Sequence, residues 1–198
     1  MSMTKTRSSI DTRERLLEEG VSAFLRQGYH GTGLKQVLDE VGVPKGSFYN
    51  YFESKEAFGA AAIEHYADCL GAMLTAAMKD APDALSGLRA FFRMQMKGFA
   101  EAEFVGGCLV ANLGGELEGS PVFRDALSAA LRRYIAGIAA ALQTAQNSGT
   151  VRSDIPAGDL AQILVDAWEG AVIRMKIERS LAPLEQCLDR LLDGFFKP

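Results

Sequence analysis

Histidine is scarce in this chain: His30 and His65 are the only two in 198 residues. Neither sits in a His-x-x-x-His or Glu-x-x-His arrangement, so no metal site is expected. Cysteine is scarce too. Cys69, Cys108 and Cys187 are odd in number and widely spaced, which suits reduced thiols better than a disulfide framework or a zinc site. No apolar run reaches 18 residues, so no transmembrane helix is expected. The opening Met-Ser-Met-Thr-Lys-Thr-Arg-Ser-Ser lacks the apolar stretch of a secretory signal, and a cytoplasmic location is expected. Basic charge is not in excess either. A formal net charge of -4 and a pI near 5.3 argue against a protein that coats nucleic acid, but not against a DNA binder with a locally suited surface. What is present is an ordinary apolar fraction of 48%. That excludes disorder and is ample for one domain, or for two small ones sharing a core.

The apolar pattern is helical almost throughout, with no alternating strand pattern of useful length. Residues 1–9 are polar and are expected to form a mobile arm. Leu16, Leu17, Val21, Phe24 and Leu25 then share one helical face, and Gly28 is placed to end that helix. Thr32 is placed to cap a second short helix with Leu34, Val37, Leu38 and Val41 on its buried side. Gly42 breaks it, and Pro44 falls at the first turn of a third helix. Ser54 can cap a fourth helix running to about Lys79, with Glu56 in its first turn. Five more helices follow. Two span roughly 83–101 and 105–117. The other three carry stripes through Leu127–Leu142, Leu160–Met175 and Leu184–Phe195. The expectation is an all-α fold of about nine helices.

The segment Thr32–Phe52 is the informative one. Two short helices meet across Val41-Gly42-Val43, a turn that allows a steep crossing, with Val37, Leu38, Val41, Phe48 and Phe52 between them. The second then exposes Lys45, Gly46, Ser47, Tyr49, Asn50 and Tyr51. Small residues let the backbone approach a surface closely. Lys45 can reach phosphate or guanine, and the tyrosines can reach phosphate oxygens, sugars or thymine methyls. Lys55, opening the next helix, can add a phosphate contact. Spacing alone leaves two readings, a helical pair that merely packs and one that reads DNA.

Residues 11–58 resemble the DNA-binding domain of TetR/AcrR-type repressors. The resemblance is carried by a first helix ending in a Gly-Tyr turn, by Thr-Gly-Leu, and by Val-Pro-Lys-Gly-Ser-Phe-Tyr-Asn-Tyr-Phe-Glu-Ser-Lys-Glu-Ala-Phe. It implies that the third helix enters the major groove, with DNA contact at Thr32, Lys45, Gly46, Ser47, Tyr49, Tyr51 and Lys55. Tyr51 stands where that family often has histidine. The implied domains are a helix-turn-helix domain over 10–65 and a helical ligand-sensing and dimerisation domain over 66–198. The first 60 residues hold 8 basic and 8 acidic side chains, net 0, against 13 and 17, net -4, in the remainder. The reading head is thus the less acidic part without being a basic patch. The last two helices, about 157–196, have stripes wide enough to serve both a core and a partner. A homodimer on a roughly palindromic operator is expected.

Gly-Cys-Leu, Trp-Glu-Gly-Ala and Lys-Ile-Glu-Arg-Ser-Leu-Ala-Pro-Leu-Glu are further similar to the N-ethylmaleimide-responsive repressors of the TetR group. That resemblance implies a sensor cysteine at Cys108 and a matching lysine at Lys176, with an electrophile or other small-molecule inducer. Cys108 stands near a predicted helix start, where backbone N–H groups favour a thiolate; the alternative is a buried structural thiol. Lys176 continues the Trp168–Val172 row and either points inward or snorkels from the stripe's edge. Cys69 and Cys187 read as packing residues. Phe99, Phe104, Trp168 and Met175 could line a ligand pocket. Related sensors bind a small ligand without covalent chemistry, which is the second reading of this half. An enzyme is disfavoured: there is no phosphate loop after a strand and no histidine base beside Cys108 in sequence. No cofactor is expected. A purely protein-binding helical module would show a charged third helix rather than Lys-Gly-Ser-Tyr-Asn-Tyr.

Overall fold

The computed structural model describes the backbone of residues 3–117 and 119–198, and side chains from Asp11 onward except at position 118. Among the described residues there are nine α-helices, a terminal π turn and no strand. α1 (Met3–Gly31) begins earlier than expected. Of the arm assigned to residues 1–9, residues 1 and 2 lie outside the described residues, and 3–9 are helical because no Gly or Pro there interrupts the turn. Gly28 adopts φ 73°, so the last turn of α1 departs from the axis of the rest.

α2 (Leu34–Val41) is not capped by Thr32. Gly33 holds the N-cap position without a side-chain bond, and the Thr32 hydroxyl instead donates to the Gly28 carbonyl at 2.7 Å. Gly42 ends α2 in the left-handed region, its N–H donating to the Asp39 and Leu38 carbonyls. α3 (Lys45–Phe48) follows Pro44, which stands one residue before it at the N-cap. α4 (Lys55–Lys79) starts as expected, with the Ser54 hydroxyl accepting from Ala57 N–H at 3.0 Å.

α5 (Ala84–Glu101) is capped by Asp83, which accepts from Ser86 N–H at 2.9 Å. α6 (Leu109–Gly114) is much shorter than the 105–117 expected. Phe104, Gly106 and Gly107 have φ of 64°, 90° and 93°, and left-handed backbone cannot continue an α-helix. α7 (Pro121–Asn147), α8 (Ala157–Glu178) and α9 (Ala182–Arg190) follow, closed by the π turn Leu191–Phe195.

Two compact units result, and neither is one continuous stretch. The first joins residues 1–66 to 109–130; the second joins 67–108 to 131–198. The sequence alone suggests one boundary, at 65/66. In the first unit Leu16, Phe24, Val37, Phe48, Phe58, Leu109, Leu113 and Phe123 are buried. In the second, Leu88, Phe91, Phe92, Ile138, Leu142, Leu164, Trp168, Met175 and Leu184 form the interior. Burial of such side chains contributes roughly 1.5–3 kcal/mol each, which is why the helical stripes decide the packing.

Candidate nucleic-acid interface and sensor site

Phe48 organises the outer face of the first unit. Its ring is fully buried, 5.3 Å from Phe52 and 5.5 Å from Phe58, while Phe52 and Phe58 stand 4.9 Å apart. A helix as short as α3 has room for one buried side chain, so its neighbours are turned outward. Lys45, Gly46 and Asn50 are exposed, Ser47 and Tyr51 half-buried. Tyr49 is 52% exposed, with its ring edge-on to Phe48 at 5.4 Å. The turn continues past α3 through Asn50 N–H to Ser47 O at 3.2 Å and Tyr51 N–H to Phe48 O at 2.9 Å. Six of the eight residues singled out from sequence for DNA contact therefore share one outer turn.

The other two are placed differently. Thr32 is buried, 1% exposed, with its hydroxyl committed to Gly28. Lys55 is half-buried. Its ammonium donates to the Tyr29 carbonyl at 2.8 Å and lies 4.3 Å from the centre of the Tyr29 ring. Desolvation by burial lowers the Lys55 pKa below its ordinary value, and the charge of Glu116 opposes that shift. Glu116, after α6, completes the arrangement. Its carboxylate accepts from Tyr29 N–H at 2.9 Å and His30 N–H at 2.6 Å. The Tyr29 ring also packs edge-on to Phe123 at 4.7 Å.

The second unit holds the thiols. Cys108 is buried, 8% exposed, immediately before α6. Its thiol is hydrogen-bonded to the Glu169 carboxyl. One oxygen of that carboxyl, Oε2, is buried without a hydrogen-bond partner. Desolvation pushes Glu169 above the usual carboxylate value, opposed by the Cys108 bond. Nearby, Gln95 Nε2 donates to the Tyr134 hydroxyl at 3.5 Å. Burial holds Tyr134 well above its ordinary value; the Gln95 bond opposes this, while the charges of Glu169, Cys108 and Cys187 add to it. Gln95, Tyr134 and Glu169 were not singled out from sequence. Gln95 had a legible signal, since it stands at a buried position of the Leu88, Phe91, Phe92, Met96, Phe99 stripe.

Lys176 is exposed, so it does not point inward. Its stem runs beside Gly107, where an added Cβ would lie 3.4 Å from Lys176 Cδ and 3.0 Å from Val172 Cγ1. Cys187 is buried, and desolvation raises its pKa to about 11. Cys69, expected to pack, is exposed because it lies off the Ile63, Ala67, Leu70, Leu74, Ala77 row that α4 buries. Phe99, Trp168 and Met175 are core residues, with Trp168 4.6 Å from Phe92. Phe104 is half-buried, 6.0 Å from the Arg179 guanidinium. Two surface cavities of this unit are lined by other residues, one around Ala77, Pro82 and Met94, the other around Arg93, Met96 and Glu185. Among the described residues no group of three or more His, Cys, Asp or Glu side chains could hold a metal. None of their helices is long and apolar enough to cross a membrane.

A short helical pair with a polar, aromatic and singly basic outer turn defines the class of helix-turn-helix transcriptional regulators. Comparison with known proteins agrees. Residues 16–62 match the family described as "Bacterial regulatory proteins, tetR family", and residues 84–191 match "Tetracyclin repressor-like, C-terminal domain". The chain is 35% identical to the HTH-type transcriptional repressor DhaR of Mycobacterium sp. (strain GP1), over 89% of this chain and 88% of that one. It is 38% identical to the transcriptional regulator AcuR of Cereibacter sphaeroides, over 86% and 79%. It is 34% identical to the HTH-type transcriptional repressor NemR of Escherichia coli K12, over 90% of each. The regulatory protein TetR from Rhodobacter sphaeroides superposes with a TM-score of 0.84 at 35% identity, covering 91% and 96%. Escherichia coli NemR in its reduced form superposes with a TM-score of 0.83 at 33% identity, covering 91% and 95%. The chain belongs to the TetR family of transcriptional regulators. It is a DNA-binding regulator of transcription and not an enzyme.

Proposed function

We propose that this chain is a homodimeric repressor that grips a roughly palindromic operator through α3 and is released when an electrophile modifies Cys108. The observation that carries the DNA grip is the outward set Lys45, Gly46, Ser47, Tyr49, Asn50 and Tyr51 around buried Phe48. Thr32 and Lys55, committed to Gly28 and Tyr29, complete the head, and the Lys55 charge adds to the field at the DNA backbone. Residues 10–65 act as the reading head and 66–198 as the sensing and dimerising part, in the cytoplasm where the operator is.

A second copy of the chain is the partner of α8. Ile163, Ile173 and Ile177 are exposed at 39%, 57% and 76%. With exposed Gly170 they repeat at intervals of seven, three and four, the spacing of a helix–helix seam. Two reading heads on one dimer would meet successive major-groove faces.

Support for cysteine sensing comes from the bond between Cys108 and Glu169, and from the likeness to a NemR structure described as its reduced form. Lys176, beside Gly107, supplies a nearby cation. The burial of Cys108 favours a second reading, in which a small ligand enters the same unit, near Phe99, Phe104, Trp168 and Met175, without forming a bond.

Fluorescence anisotropy on DNA upstream of the chain's own gene tests both. In the parent, stoichiometric N-ethylmaleimide should abolish tight binding, and Cys108→Ser should bind and resist. A tenfold loss of affinity corresponds to about 1.4 kcal/mol between states. Alkylation of Cys108 without any effect on binding would leave the non-covalent reading. Tyr49→Ala should weaken binding of an intact dimer; equal affinity overturns the docking through α3.

A further inference from the structure

Four polar side chains from four parts of the chain come together inside the second unit: Cys108 ahead of α6, Glu169 of α8, Tyr134 of α7 and Gln95 of α5. The cluster is set among Phe91, Phe92 and Trp168, which are almost wholly buried. Phe91 lies 6.1 Å from the Tyr134 ring. Folded proteins rarely keep a buried carboxyl oxygen without a partner, and one that persists calls for a role. Here it belongs to the same carboxyl that is bonded to the thiol.

We propose that Glu169 is the proton-transfer partner of Cys108 in its reaction with an electron-poor alkene conjugated to a carbonyl, an inference that rests on Cys108 being the sensor. The ionised carboxylate takes the thiol proton as the sulfur attacks the β-carbon. The sulfur–carbon bond forms, the alkene π bond breaks, and its electron pair moves onto the carbonyl oxygen as an enolate. The protonated carboxyl then returns the proton to the α-carbon as the carbonyl re-forms. The net change is addition of S–H across the double bond, with Glu169 regenerated and no oxidant consumed.

The geometry suits this cycle. The carboxyl engages the sulfur and also keeps a buried oxygen, Oε2, without a partner, so a proton can be taken and returned by the same group. Desolvation moves Glu169 toward neutrality, where general acid–base partners are most effective. The Tyr134 hydroxyl stays protonated far above neutral pH and can donate to the enolate oxygen, oriented by Gln95.

The test is the rate of N-ethylmaleimide addition at Cys108 in the full-length protein, read by mass spectrometry of the Cys108 peptide so that exposed Cys69 does not interfere. The groups that titrate around the site are Cys108, Glu169, Tyr134 and Cys187, with Lys176 as the cation beside Gly107. In the parent the rate should rise with ionisation of Glu169 and level off below the ordinary thiol range. In Glu169→Gln the rate at pH 7.5 should fall about a hundredfold and rise only through the thiol range. Glu169→Asp should recover part of it. An unchanged rate in Glu169→Gln overturns the proposal. If that variant does not fold, a parent profile that follows the thiol range alone overturns it equally. Absence of any label on Cys108 in the parent would remove the sensor reading as well, whereas label without dependence on Glu169 removes only this step.

Discussion

The Lys55 ammonium holds the Tyr29 carbonyl oxygen at 2.8 Å while covering the face of the same residue's ring at 4.3 Å. A lysine at the head of a helix beside a reading head invites assignment to a DNA phosphate, yet here its first partner is within the protein. Lys55→Met keeps the stem's packing and removes the donor. It should destabilise the protein by about 1 kcal/mol, measured by urea denaturation without DNA. An unchanged midpoint would mean that the bond is not held in solution.

Glu116 grips the other side of Tyr29, and Gly28 makes room for it. With φ at 73°, an alanine at position 28 would place its Cβ 2.5 Å from Glu116 Oε2. Gly28→Ala is expected to cost about 1–2 kcal/mol through the left-handed backbone alone, lowering Tm by roughly 2–8 °C. Loss of the Glu116 bonds should enlarge that drop. Scanning calorimetry of the variant measures it, and a Tm equal to the parent's would contradict the clamp.

Much of this was legible in the chain, for identifiable reasons. Ser54 caps α4 and Gly42 ends α2 because a hydroxyl and a left-handed glycine act on their immediate neighbours, which sequence shows directly. Phe48 and the outward turn around it follow from short-range periodicity. What was not legible depends on distant partners. Thr32 would cap α2 if nothing else competed, but the Gly28 kink brings a carbonyl within its reach. Glu116 meets Tyr29 across 87 positions, and no local pattern announces that bond. The inward aim of Glu169 is hidden by its position next to Trp168, one step off the buried stripe.

The buried thiol at Cys187 has a pH signature with a definite sign. Its folded-state pKa, about 11, lies above the ordinary thiol value of 9.0. The native state therefore holds the proton more tightly than the unfolded chain. The stability so conferred is intact below about pH 9 and is lost as pH rises from there through 11, by up to about 1.4 kcal/mol per pH unit. Cys187→Ala should remove that slope in denaturation experiments between pH 8 and 11. Burial thus keeps the Cys187 thiolate scarce at pH 8. Iodoacetamide should therefore label exposed Cys69 well before Cys187.

For the dimer, the discriminating position is Ile177, at 76% the most exposed large apolar side chain among the described residues. Replacing both Ile173 and Ile177 with glutamate should leave the helical circular dichroism intact and shift the sedimentation profile toward monomer. Operator affinity should drop at least about tenfold with it, since each head alone lacks the second contact. A dimer that survives the double change would place the seam elsewhere.

The division of the chain into interleaved units limits what can be cut or grafted. Residues 1–66 contain the whole of α2 and α3, yet Phe123 and the carboxylate that caps Tyr29 and His30 arrive only with residues 109–130. A reading head excised at one point would lose the ring beside Tyr29 and leave two backbone amides unanswered. Transplanting this head onto another sensor thus takes three junctions, at 66/67, 108/109 and 130/131, and chimaeras joined at a single crossover inherit a head that is only partly assembled.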